Sequence, residues 1–320
     1  MGMHSGLAEG ALTLGFVRAT ELAAIATAEW RGKGDERAAD SAAADGLAIG
    51  LNVMPMRATI SLGEGTHTES DTFGVGHTFG TGEGPEVDLA VDALEGTTLC
   101  AKAQNDALVA LAASEPGGLM RVPAIYMDKI AIAAGYPEGL IDLNASPADN
   151  IRALADAKKV PVREIAACVL DRPRHAALID ELRTVGCSVR LIGDGDIAAV
   201  IHAANVFHES VDIYMGSGGA PEGVLAAAAI RCLGGVLQAR FQTNRHDFVE
   251  ELDAAGITDR DRIYSAEDLA RGDVLFAATG VTNGTLVDGV AMNKGAYRTS
   301  SIVMETWSGT VRRVATRHAR

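Results

Sequence analysis

From about residue 145 the chain alternates strand-like with helix-like segments, and this constrains its fold more than any other feature. Residues 148–159 (ADNIRALADAKK) carry helical spacing, 164–171 (EIAACVLD) read as a strand, and 175–186 (HAALIDELRTVG) as a helix stopped by Gly186. SVRLIGDGD at 188–196 is a strand leading into the helical IAAVIHAA at 197–204. VDIYMGSGGAPEG at 211–223 leads into the helix VLAAAAIRCL, and DVLFAATG at 273–280 is another strand. Such alternation predicts an α/β fold whose C-terminal half is layered.

The first half has a different grammar and reads as α+β. Leu12, Phe16, Ala19, Ala23, Ala26 and Trp30 form one helical stripe within 11–30, and Ala43, Leu47, Leu51 and Met54 form another within 40–54. Ala58, Ile60 and Leu62 alternate and stop at GEG; Val87, Leu89 and Val91 alternate and stop at Asp92. Residues 107–112 and 124–132 read as further strands, and 300–319 as a hairpin turning at Ser308-Gly309. The change of grammar predicts two domains: 1–150, carrying metal ligands, and 151–320, carrying substrate contacts.

Hydrophobic residues make up 48% of the 320 residues and aromatics only 4%, so small side chains and close backbone packing are expected in the core. The formal charge of −14 excludes a general nucleic-acid binder, which needs the opposite sign. No apolar run approaches the ~18 residues of a membrane span, and MGMHSGLAEG lacks a basic start followed by an apolar core. A cytoplasmic protein with no membrane partner is expected. The four cysteines form no CxxC pair and are expected as buried, reduced thiols.

Acidic residues recur beside glycine at strand ends: Glu64 in LGEG, Asp92 and Glu95 in VDALEGT, Glu222 in GGAPEG. Asp40 stands near the expected start of the second helix, where it could be an N-cap. Glu222, after Pro221, could simply favour a helix N-terminus. Asp92 and Glu95 resist such readings. A strand ending on Asp projects it past the sheet, and a helix-like turn would bring Glu95 to the same side. Two close carboxylates must share a proton or a cation, and oxygen-only donors select Mg²⁺ or Mn²⁺. A helix starting at Thr97 would aim free N–H groups at an anion, with Gly96 letting it approach.

These residues lie in segments that resemble the class II fructose-1,6-bisphosphatases of bacteria, within the lithium-sensitive, metal-dependent sugar and inositol phosphatases. The segments are RATELAAIATAEWRGKGDERAADSAA, GEG, VDLAVDALEGTT, IYMDKI, IDLNASPADN, RPRHAALIDELRTVG, GDGDIAA, GGAPEGVLAAAAIRCL and LFAATGVTNG. The resemblance implies metal ligands at Asp40, Glu64, Asp92, Glu95 and Glu222, with Thr97, Asp92 and Glu95 catalytic. It implies substrate contacts at Gly96, Thr97, Tyr126, Arg172, Arg174, His175, Asp194, Asp196 and Gly219. It also implies an α-β-α-β-α sandwich that hydrolyses the 1-phosphate of fructose 1,6-bisphosphate or sedoheptulose 1,7-bisphosphate with Mg²⁺ or Mn²⁺, and a homo-oligomer, dimer or tetramer.

The residues fit that chemistry. Arg172 and Arg174 flank a rigid Pro173 and offer forked donors to a second phosphate, with His175 as a further donor. Asp194 and Asp196, in a GDGD turn, could accept sugar hydroxyls or be ordinary turn residues. The chain also departs from the family. Ala93 stands where the family has Pro, and Thr68, in THTESDTF, where it has an acid. Arg172 replaces Lys, Gly193 replaces Pro, and 236–256 and the C-terminus are shorter. His67 and His77 are expected to face solvent. Two rivals are a sugar or inositol monophosphatase and a catalytically silent sugar-phosphate binder. The spacing of GSGGAP does not fit a dinucleotide site.

Overall fold

The structure is a computed structural model and describes residues 7, 11–63, 71–204, 211–293 and 295–319. Its contacts divide the chain into two compact units, residues 1–121 with 270–320, and residues 122–269. This differs from the expected boundary at residue 150. The strand at Tyr126–Ile132 pairs with strands at Ile213–Gly219 and Val236–Phe241, so a cut at 150 would divide one sheet. Residues 270–320 rejoin the first unit instead.

The first unit opens with helices α1 (Ala11–Ala28) and α2 (Glu36–Asn52). Asp35, not Asp40, caps α2: its carboxylate accepts from Ala38 N at 3.0 Å. Asp40 therefore sits inside the helix, and the capping explanation for it falls away. The two helices approach closely because their contact is built from small residues; a Cβ on Gly50 would lie 2.5 Å from Ala19 Cα. Strands β1 (Arg57–Leu62), β2 (Thr78–Phe79) and β3 (Glu86–Glu95) follow, then helix α3 (Thr97–Ala101) and β4 (Leu108–Ser114).

The second unit comprises β5 (Tyr126–Ile132), α4 (Pro147–Lys158), β6 (Ala166–Leu170), α5 (Ala176–Val185), β7 (Ser188–Ile192), α6 (Asp196–Ala204), β8 (Ile213–Gly219), α7 (Ala220–Leu233), β9 (Val236–Phe241), α8 (His246–Ala254), β10 (Tyr264–Ser265) and α9 (Ala266–Leu269). Its strands run in the order β10-β9-β5-β8-β6-β7. β6 is parallel to β7 and β8, while β5 is antiparallel to β8 and β9. Successive strand residues face opposite sides. Ile130, Ile132, Ala167, Val169, Ile213 and Met215 pack with Ile151, Leu154, Ile179 and Leu182 of α4 and α5. The opposite parity, with Lys129 and Ala131, faces α6 and α7. This unit is thus the helix–sheet–helix layering expected from the alternating grammar.

The chain then returns to the first unit with β11 (Val274–Gly280), β12 (Ala291–Asn293), β13 (Ala296–Glu305) and β14 (Thr310–Ala319). The order in that sheet is β12-β13-β11-β4-β3-β1-β2, with β14 on β13. β13 and β14 form the expected hairpin, turning through Ser308-Gly309. Leu47, Leu51, Ile60, Leu89, Val91, Leu111 and Val303 share the core of this unit. Among the described residues, no helix is long and apolar enough to cross a membrane.

Candidate active site

In the first unit the site is built by a defect in β3. β3 does not end at Asp92; it continues to Glu95, so no helical turn links the two carboxylates. Asp92 opposes Ala110 of β4, and Glu95 opposes Leu108. Three steps on β3 thus match two on β4, which is a one-residue bulge. In a regular strand residues i and i+3 face opposite ways. Ala110 and Leu108, two apart, face the same way, and the bulge brings Asp92 and Glu95 onto that shared face. Both are buried, at 9% and 7% exposure, which a carboxylate tolerates only with compensating partners. Ala93 lies inside the bulge and is fully buried. A bulge is one of the few places in a sheet where Pro is tolerated.

Gly96 follows with φ +80°, a left-handed conformation that a side chain disfavours. It caps α3, whose first turn closes when Cys100 N donates to Gly96 O. Thr97 is the first residue of that helix, as expected, and its N–H lies among the first-turn donors that have no intrahelical acceptor. Cys100 itself is buried, and burial raises its thiol to about 11. It is one of four buried cysteines, none of them in a disulfide. Asp40 is half-buried on α2. Glu64, His67 and Thr68 lie outside the described residues, and His77 is exposed, with Nδ1 3.1 Å from Thr72 O. Among the described residues, no three His, Cys, Asp or Glu side chains converge as a metal cluster.

The second unit carries a different chemistry. A cavity of about 460 Å³ opens on the α4–α5 face, lined by Tyr126, Asp128, Arg174, Ser217, Arg240 and Arg245 among others. Arg174 donates from Nε and Nη2 to Ser217 O, at 3.2 and 2.8 Å, and lies 4.8 Å over the Tyr126 ring. Tyr126 in turn lies 5.9 Å from the Phe248 ring. The guanidinium is therefore fixed before any ligand arrives.

His175 differs from its expected role as a phosphate donor. It is buried, with Nδ1 2.8 Å from Leu170 O, and its Nε2 accepts from Ser217 N at 2.8 Å. Both ring nitrogens are occupied by the protein, which fixes the neutral tautomer with the proton on Nδ1. Burial lowers its pKa below the ordinary value. His175 holds the β6–α5 connection onto β8. Arg172 is also engaged, 3.2 Å from Asp194. Burial raises the Asp194 pKa, against the pull of Arg172.

Asp196 is no turn acceptor. It opens α6, is buried, and forms an ion pair with the enclosed Lys129. Lys129 also donates to Gly219 O at 3.0 Å. Glu222 lies in the first turn of α7, after Gly219 as N-cap and Pro221, which fits the dull reading of its position. Its environment does not. Oε2 is enclosed and has no hydrogen-bond partner among the described residues. Burial raises its pKa, with the Asp196 charge adding to the effect and Lys129 opposing it. A Cβ on Gly219 would stand 1.8 Å from that oxygen, so a side chain there would force the Glu222 carboxylate to move. An orphaned carboxylate oxygen inside a protein suits a hard divalent cation.

Sequence reasoning missed Lys129, Ser217, Arg240, Gln242 and Arg245. The run QARFQTNRHDF at 238–248 carried a signal in its two arginines and two phenylalanines, in a stretch without an expected helix or strand.

The described residues thus put buried carboxylates in the first unit and a fixed arginine on an aromatic wall in the second, within an α/β fold. The chain belongs to the family described as "Bacterial fructose-1,6-bisphosphatase, glpX-encoded", which it matches over residues 10–318. Its relatives include proteins named D-fructose 1,6-bisphosphatase class 2/sedoheptulose 1,7-bisphosphatase. The one from Microcystis aeruginosa is 40% identical over 97% of this chain and 96% of the relative. Those from Synechocystis sp. and Thermosynechococcus vestitus are 38% and 39% identical, with the same coverage.

Proposed function

We propose that this chain hydrolyses the 1-phosphate of a ketose bisphosphate, fructose 1,6-bisphosphate or sedoheptulose 1,7-bisphosphate, with Mg²⁺ or Mn²⁺. The observation that carries the reading is the bulge that turns buried Asp92 and Glu95 onto one face, directly before Gly96 and Thr97. Asp40, Glu64, Asp92 and Glu95 are the proposed cation ligands of the first unit, and Glu222 that of the second. A bound divalent cation would lower the pKa of a water and stabilise developing charge on oxygen. Thr97, at the start of α3, positions a phosphoryl oxygen or the attacking water. Arg174 and Tyr126 receive the second phosphate, with the Arg174 Nη1 group left over from the Ser217 contacts. The cytoplasm suits four buried thiols outside any disulfide, and a homo-oligomer belongs to the same proposal.

Phosphate release is measured on hexulose and heptulose bisphosphates and on the matching monophosphates, each with Mg²⁺, Mn²⁺ and chelator. Metal-dependent release from a bisphosphate is the expected result. Binding of the bisphosphate without release under any metal would mark a silent binder and refute the enzyme. Faster release from the monophosphates would favour an inositol-monophosphatase-like activity.

A further inference from the structure

A lysine in the middle of a strand normally reaches water. Lys129 does not: its side chain has no exposed surface. It lies on the α6–α7 face of β5, opposite Gly216 of β8. Its ammonium is committed twice, to the Asp196 carboxylate and to Gly219 O. The first partner opens α6 and the second is the residue that caps α7, so one side chain ties a strand to the starts of two helices.

The surroundings fit this lysine closely. A Cβ on Gly218 would fall 2.1 Å from Asp196 Oδ2 and 3.2 Å from Lys129 Nζ. The methylene stem of Lys129 passes Gly223 of α7. Yet no ion pair joins Lys129 to Glu222, whose enclosed Oε2 keeps no partner among the described residues. The Lys129 charge acts on the Glu222 carboxylate without pairing with it. Asp196 and the Gly219 carbonyl hold the ammonium instead.

We propose that Lys129 is a positioning residue: by clamping Asp196 and the Gly219 carbonyl, it sets the β8–α7 junction so that Glu222 keeps an unpaired oxygen for a divalent cation. This rests on the metal-dependent reading above, but concerns a residue that makes no contact with the cation itself. Breaking a buried pair by removing one partner is costly, whereas replacing both is often tolerated. The two variants K129M and K129M/D196N therefore separate folding from positioning.

Mn²⁺ affinity is measured by titration calorimetry on the full chain, together with Tm in chelator. K129M is expected to lower Tm and to weaken Mn²⁺ binding by about tenfold or more, the scale of lost outer-shell support. The double variant is expected to recover Tm while binding Mn²⁺ as weakly as K129M, a split that a purely structural role would not produce. Wild-type Mn²⁺ affinity in either folded variant would overturn the proposal. A wild-type chain that binds no Mn²⁺ would overturn the metal-dependent reading itself, a distinct result.

Discussion

The two units handle charge in opposite ways. In the first, negative groups are gathered by one local irregularity: a single extra residue in β3 makes Asp92 and Glu95 neighbours on one face. In the second, the cavity's cations come from distant stretches of chain, Arg174 after β6 and Arg240 and Arg245 around the end of β9. Clusters made by local geometry are written in a short motif. Clusters made by topology are not, because nothing near Arg174 in sequence announces Ser217, forty-three residues on.

This contrast explains what could be read beforehand. The β6 to α7 alternation was legible because buried strands and amphipathic helices have different periods. The Asp92–Glu95 pair was legible as a pair, although its cause was misread as a helical turn. The bulge leaves no mark in composition. The protein partners of His175 and Asp196 were not legible, because a side chain's hydrogen-bond partners are set by tertiary contacts, here Ser217 and Lys129. β9 and α8 went unplaced: VLQARF alternates only weakly, and α8 spans nine residues. The domain boundary failed for a related reason. A strand gives no hint of which sheet it will join, and β5 joins β9, more than a hundred residues away.

If the contrast is functional, the two units should fail differently. The largest effect is expected from Asp92→Asn, which should cut phosphate release by at least about a hundredfold with an unchanged circular-dichroism spectrum. Unaltered turnover would remove the first unit from the chemistry. Arg174→Ala should raise KM for a bisphosphate by about 10- to 100-fold, as expected for a lost charge-assisted contact. It should leave monophosphate turnover nearly constant, and equal losses on both substrates would break the assignment of the second phosphate.

Smaller effects test the frameworks. Gly50→Ala places a methyl against Ala19 and should destabilise by about 1–3 kcal/mol in denaturant titration. His175 has a lowered folded pKa, so the unfolded chain binds its proton first. Its contribution to stability is present above the unfolded value of 6.5 and is lost as pH falls through the lower folded value. His175→Gln should flatten the slope of stability against pH below 6.5. Cys100, with its thiol raised to about 11 by burial, should resist alkylation at neutral pH in the native chain and react on unfolding.

The central claim is that the carboxylates of β3 serve a metal-dependent phosphatase whose substrate carries a second phosphate. The direct test is kcat/KM for phosphate release from a ketose bisphosphate and from its monophosphate, with Mn²⁺ and with chelator. The account predicts release that stops with chelator and favours the bisphosphate by at least about tenfold, the scale of one charge-assisted contact. Equal rates on the two substrates, or release that persists in chelator, would contradict it.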